Sequence, residues 1–147
     1  MVKTQMFRKL IFPVLTLVWI FVIFSFSIQS GSISSLQSGL ITHYILNFLN
    51  SIDIQIEIKL LSLIIRKLAH FTEFFILGSL IKQSSLDLKR NDILLFIFII
   101  PLLDEFIQSF IPDRAMSLID MGIDSLGISL GISLIALFYW LRKRNTP

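Results

Sequence analysis

A chain of 147 residues that is 54% hydrophobic and only 16% charged, with a mean hydropathy of +0.82, holds more apolar surface than one domain of its size can hide from water. Lipid must therefore solvate part of it. The absence of cysteine excludes disulfides, thiolate metal sites and cysteine nucleophiles. A net charge of +3 and a pI near 9.5 would suit nucleic acid only if the basic residues formed a patch, and their positions give them another purpose.

Four apolar stretches are predicted to span a bilayer, a task that takes about 20 helical residues. The first, residues 10–28, follows Lys3, Arg8 and Lys9. It reads as an uncleaved anchor, because its apolar core exceeds that of a usual signal peptide and Ser25-x-Ser27 is a poor cleavage pattern. Beyond it, Leu36, Leu40, Ile41, Tyr44, Ile45, Phe48 and Leu49 recur at helical spacing, with Gln37, Ser38, Thr42, His43 and Asn47 on the other side. This predicts an amphipathic helix at the outer surface that buries Leu40, Tyr44 and Phe48. Next, Ile52, Ile54, Ile56 and Ile58 alternate with Asp53, Gln55, Glu57 and Lys59. That is the pattern of a strand, but no second such run exists to pair with its edge, so no strand is expected.

The second stretch, residues 60–81, carries Arg66, Lys67, His70 and Glu73 in its first half. The third, residues 93–110, carries Asp104, Glu105 and Gln108 in its last part, and the fourth, residues 118–141, carries Asp120 and Asp124 in its first two turns. The expected fold is all-α: one domain over residues 1–147, a four-transmembrane-helix polytopic bundle with an extra amphipathic helix between the first two spans.

Basic residues set the expected orientation. Lys3, Arg8, Lys9, Lys82, Lys89, Arg90, Arg142, Lys143 and Arg144 fall on one side of four such spans; Lys59, Arg66, Lys67 and Arg114 are the remainder of the 13. The positive-inside rule then puts both termini in the cytoplasm of a multi-pass cell-membrane protein. The basic pI is accounted for by topology, and no nucleic-acid partner is expected. Most of the acids lie outside or in the outer half of the membrane.

An ionisable side chain at membrane depth is costly and marks function by default. Arg66, His70 and Glu73 are spaced i, i+4, i+7 and share one helix face. Asp104 and Gln108 share another, with Glu105 beside them, and Asp120 and Asp124 share a third, continued by Gly127 and Gly131. In a bundle these faces should meet in one polar pocket open to the outside, with His70 within about 8 Å of an acid of the third or fourth span, close enough for a direct or water-bridged contact. Gly127-x-x-x-Gly131 is most simply a packing motif, and Lys67 could merely reach for the headgroups. Histidine beside carboxylates is general-base chemistry. Arginines suit phosphate or carboxylate, and the same set could hold a divalent cation through nitrogen and oxygen. Acids near the midplane could instead relay ions, but no chain of acids crosses the membrane.

Three ordered blocks resemble the VanZ-like family of small bacterial membrane proteins. They are Phe26-Ser-Ile-Gln-Ser-Gly31, then Arg66-Lys67-x-x-His70-Phe71-x-x-Phe74 leading to Leu77-Gly78, and Asp104-Glu105-x-x-Gln108-x-Phe110-x-Pro112-x-Arg114-x-x-Ser117-x-x-Asp120 ending at Asp124-x-x-Gly127. Two positions depart from the family pattern: Asp113 stands for a usual Gly and Asp124 for a usual Asn. The family is named for a member that gives low-level teicoplanin resistance and has been proposed to belong with lipid head-group enzymes, phosphatidylserine synthases among them. That proposal suits a pocket of histidine, acids and arginines at headgroup level, and the function expected from the pocket is a head-group transferase or hydrolase acting on a phosphate-linked lipid or cell-envelope precursor at the outer leaflet. His70 would be base or nucleophile, with Glu73 or Asp120 orienting it. Arg66, Arg114 and Gln108 would hold the substrate, and Asp104, Glu105 and Asp124 would complete an acid or metal site. The alternatives are a non-catalytic binder of envelope lipid or glycopeptide antibiotic, and a small ion-coupled transporter.

Overall fold

The computed structural model describes residues 2–92 and 99–145. They form α1 (Val2–Ser27), α2 (Gly31–Ser51), α3 (Ile58–Leu88), α4 (Ile99–Gln108) and α5 (Leu118–Arg144). Among the described residues there is no strand: the alternating run after Ser51 is a turn with Asp53 at φ 59°, followed by irregular chain that feeds straight into α3. Ser30 caps α2 by accepting from the Ile33 amide at 3.4 Å. Ser117 caps α5 by accepting from the Asp120 amide at 3.2 Å, so these two helices start at a serine able to take an orphan N–H.

The predicted spans 60–81 and 118–141 fall within α3 and α5, and 10–28 coincides with α1 except for Ile28, one residue past its end. Of the span 93–110, residues 93–98 lie outside the described residues, and α4 accounts for the ten from Ile99 to Gln108. Among the described residues, two helical segments are long and apolar enough to cross a membrane, Lys9–Ser27 and Leu118–Arg144, with only 17% and 22% of their apolar windows buried inside the molecule. A core helix of a water-soluble protein would be mostly buried, so this exposure suggests a membrane protein. The intervening α3 does not qualify, since ionisable residues crowd its first half.

The centre of the molecule is α3. Alongside it α1 runs antiparallel, with the Thr16 and Ser84 hydroxyls 2.9 Å apart and the Trp19 indole donating to the Glu73 carbonyl at 2.9 Å. By contrast α5 runs parallel to α3: Lys67 pairs with Asp120 near their starts, and the Tyr139 hydroxyl donates to Gln83 at 3.0 Å near their ends. Glycine makes that contact possible. A Cβ at Gly131 would lie 2.2 Å from the Phe75 carbonyl oxygen, one at Gly127 2.6 Å from that of Phe71, and one at Gly78 2.2 Å from that of Ile128. Gly127-x-x-x-Gly131 is thus a packing motif, bringing backbones together where any side chain would hold them apart. Around it a small apolar core of Ile23, Phe74, Leu77, Ile81, Ile100 and Ile128 is interleaved with buried Thr16, Ser27, Thr42, Ser84 and Ser85.

The amphipathic helix is present as α2, but its expected orientation on the protein is reversed. Leu40, Tyr44 and Phe48 are 68%, 78% and 63% exposed, whereas Ser38 and Thr42 are buried. The small polar residues let α2 approach α3 closely and satisfy themselves locally, the Thr42 hydroxyl donating to the Ser38 carbonyl at 2.7 Å. The apolar stripe is left outward, the arrangement favoured when the surroundings are as apolar as leucine.

Candidate functional site

The polar residues of α3, α4 and α5 gather at the end of the bundle where α1 stops and α2 begins. There His70 Nδ1 lies 3.5 Å from Asp124 Oδ1, and ligand-capable atoms of His70, Asp104 and Asp124 all lie within 4.8 Å of one another. Asp104 is held from two sides, by the Ser27 hydroxyl and by Gln108, whose amide donates to Oδ2 at 2.6 Å. Neither oxygen of the fully buried Asp124 has a hydrogen bond, nor does His70 Nδ1, since 3.5 Å is too long for one.

Above this trio is a cavity of about 180 Å³ lined by Arg66, His70, Glu73, Asp104, Gln108 and Arg114. Its opposite wall comes from the end of α1 and the start of α2, with Ser27, Gln29, Ser34, Gln37 and Ser38, and its apolar floor includes Ile23, Phe26 and Ile41. Arg66 donates to Ser35 at 3.2 Å. Arg114 reaches in from the loop between α4 and α5; burial draws its guanidinium below the ordinary range, an effect opposed by Asp104 and reinforced by Arg66. Among the described residues neither arginine forms an ion pair.

Six of the nine sequence-derived candidates therefore line one cavity, and Asp124 lies beneath it against His70. Of the other two, Asp120 lines a smaller adjoining cavity of about 90 Å³ together with Arg66, His70, Gln108 and Arg114, and Glu105 lies apart. Glu105, buried, turns toward α5 and accepts the Ser117 amide at 2.6 Å, tying the start of that helix to α4. Asp120 takes Lys67 as its partner, so Lys67 does not simply reach for headgroups, and the acid beside His70 is Asp124 rather than Asp120. The pair faces a second cleft of about 460 Å³ between α2 and α3, where His43, Lys59 and Arg66 also lie. Sequence reasoning missed the wall given by α1 and α2. Its only trace was the block from Phe26 to Gly31, which contains Ser27 and whose Gly31 amide donates to the Pro112 carbonyl at 3.1 Å.

Fold and site define an all-helical protein with two helices fit to cross a membrane and a polar cluster enclosed at one end. The sequence pattern of the VanZ/LLP1 family matches residues 12–139, and the chain belongs to that family. No curated protein and no solved structure matches the chain.

Proposed function

We propose that this VanZ-family protein crosses the membrane four times with both termini in the cytoplasm, and that its cavity binds the anionic head of a phosphate-linked envelope lipid at the outer leaflet. The observation that carries the reading is the pairing of Arg66 and Arg114 on one small cavity that His70, Glu73 and Asp104 also line. Two guanidiniums converge at close range only at some cost, which an anion between them relieves. The floor is apolar on one side, as an acyl or prenyl chain requires, and the outward stripe of α2 faces the same lipid. His70 and Glu73 line the same cavity as the arginines, placed to take a proton from a hydroxyl or water attacking the bound head group.

The four-span reading is supported by direction as well as by hydropathy. Because α3 and α5 run parallel, the chain between them must return to the far end of the bundle, and the apolar stretch 93–110 lies in that segment. This brings Lys82, Lys89 and Arg90 to the same side as Arg142, Lys143 and Arg144, as the positive-inside rule requires.

The test is lipid binding by the purified protein in phosphatidylcholine nanodiscs doped with phosphatidic acid or a polyprenyl phosphate. Native mass spectrometry should show retention of the phosphate lipid, and Arg66→Ala or Arg114→Ala should each weaken it roughly ten- to hundredfold, the value of one charge-assisted contact. Equal retention of phosphatidylcholine, or full retention by the double variant, would sink the proposal.

A further inference from the structure

Beneath the cavity the donor set His70, Asp104 and Asp124 invites a different question, independent of any lipid: what balances two buried carboxylates there. Asp104 and Asp124 are 1% and 0% exposed. Among the cations of this end, Lys67 holds Asp120, both cavity arginines lie outside any ion pair among the described residues, and His70, 3.5 Å from Asp124, balances at most one of the two carboxylates and only when protonated. Asp124 has two buried oxygens without a hydrogen bond, and the buried His70 Nδ1 beside it has none either. Buried polar atoms are normally satisfied, and three orphans at one point call for a partner.

We infer that His70, Asp104 and Asp124 form a divalent-cation site. Their ligand atoms lie within 4.8 Å of one another, while donors at about 2.0–2.2 Å from a shared tetrahedral ion stand roughly 3.3–3.6 Å apart. Closure therefore needs side-chain movement of up to about an ångström, within the reach of rotamer adjustment. One imidazole and two carboxylates neutralise a 2+ charge, and this mixed nitrogen and oxygen set suits Mn²⁺ or Zn²⁺ better than Ca²⁺, which prefers oxygen throughout. Asp104 already has the support expected around a metal ligand, since Ser27 and Gln108 donate to its two oxygens and fix its orientation while leaving lone pairs free. Only three protein ligands are present, so the ion would keep open positions toward the cavity. In this arrangement His70 is a ligand, and Glu73, one turn further along α3, remains as the proton acceptor.

The experiment uses the full-length protein in detergent, stripped with a chelator, freed of it, and titrated with MnCl₂ and ZnCl₂ by calorimetry, with bound metal counted by mass spectrometry. One equivalent per chain is expected, together with a raised unfolding temperature. Asp104→Asn and Asp124→Asn should each weaken binding at least tenfold, and Ser27→Ala about tenfold through the loosened Asp104. Circular dichroism confirms that each variant is folded, and Asp53→Asn, in the exposed turn after α2, should bind as the parent does. Because an isosteric amide could fail to fold, His70→Phe provides a second route to the same loss, and a Co²⁺ spectrum that changes in His70→Phe identifies imidazole in the coordination shell. Binding that survives both aspartate substitutions overturns the site, as does a stripped protein that takes up neither metal. A lipid-binding defect without a metal defect, or the reverse, separates this site from the lipid reading.

Discussion

Asp113 occupies a backbone position that few side chains tolerate. Its φ of 61° lies in the left-handed region, where an L-residue loses roughly 1–2 kcal/mol, somewhat less for Asp; the family pattern has glycine there. Its neighbour across the contact has no such latitude, because a Cβ on Gly31 would lie 2.3 Å from the Asp113 carbonyl oxygen. Asp113→Gly is therefore expected to stabilise the protein by about 1 kcal/mol by relieving the loop, seen as a higher unfolding midpoint in detergent; an unchanged or lower midpoint refutes this. The alignment of Arg66, His70 and Glu73 was legible in the sequence because helix periodicity alone puts i, i+4 and i+7 on one face. The partner of His70 was not. Asp120 and Asp124 are one turn apart, and which of them meets His70 depends on how far α5 is shifted along α3. Likewise Asp104 and Glu105 are adjacent in sequence but point about 100° apart on their helix, so one serves the cluster and the other the α5 cap.

Between helices the decisive contact is α3 with α5, and glycine spacing determines it. Gly131→Ala puts a methyl 2.2 Å from the Phe75 carbonyl oxygen and close to Ser79, where backbone must move, whereas at Gly122 nothing lies within 4 Å of an added Cβ. The two alanine variants should therefore differ in sign. Gly131→Ala is expected to destabilise by about 1–3 kcal/mol through overpacking, while Gly122→Ala, a gain in helix propensity, stabilises by up to about 1 kcal/mol. Thermal scans monitored by fluorescence size exclusion would show both, and identical behaviour would contradict the packing described. That α2 is a helix followed from its periodicity. Which of its faces meets the protein did not, because hydrophobic residues mark the buried side only when water is the alternative. Here Ser38 and Thr42 face α3 and the leucine and aromatic stripe faces out.

At the scale of the whole molecule, charge asymmetry and helix direction both support the proposed topology. Reporter fusions check it: a periplasmic-type reporter joined after Pro147 should be inactive, and one placed within residues 30–50 active. Activity of the first outside the cell would overturn the orientation and the outer-leaflet cavity with it. The all-helical class and one end for the polar cluster were readable from hydropathy and from where the charges fall along each apolar stretch. The wall supplied by α1 and α2 was not: Ser34, Gln37, Ser38 and Ile41 share one helix face by their spacing, but nothing in the sequence says that this face rather than the apolar stripe meets the protein.

The parallel pairing of α3 with α5 also has a consequence for how the chain is made. Lys67 and His70 leave the ribosome well before Asp120, their separation being 53 residues in the case of Lys67. Until the last helix is synthesised, Lys67 lacks its partner Asp120, and the acids near His70 are only Glu73 of the same helix and Asp104 of α4. In the proposed four-span arrangement, a chain cut short before α5 would therefore leave Lys67 unpaired at membrane depth, a ready mark for quality-control proteolysis.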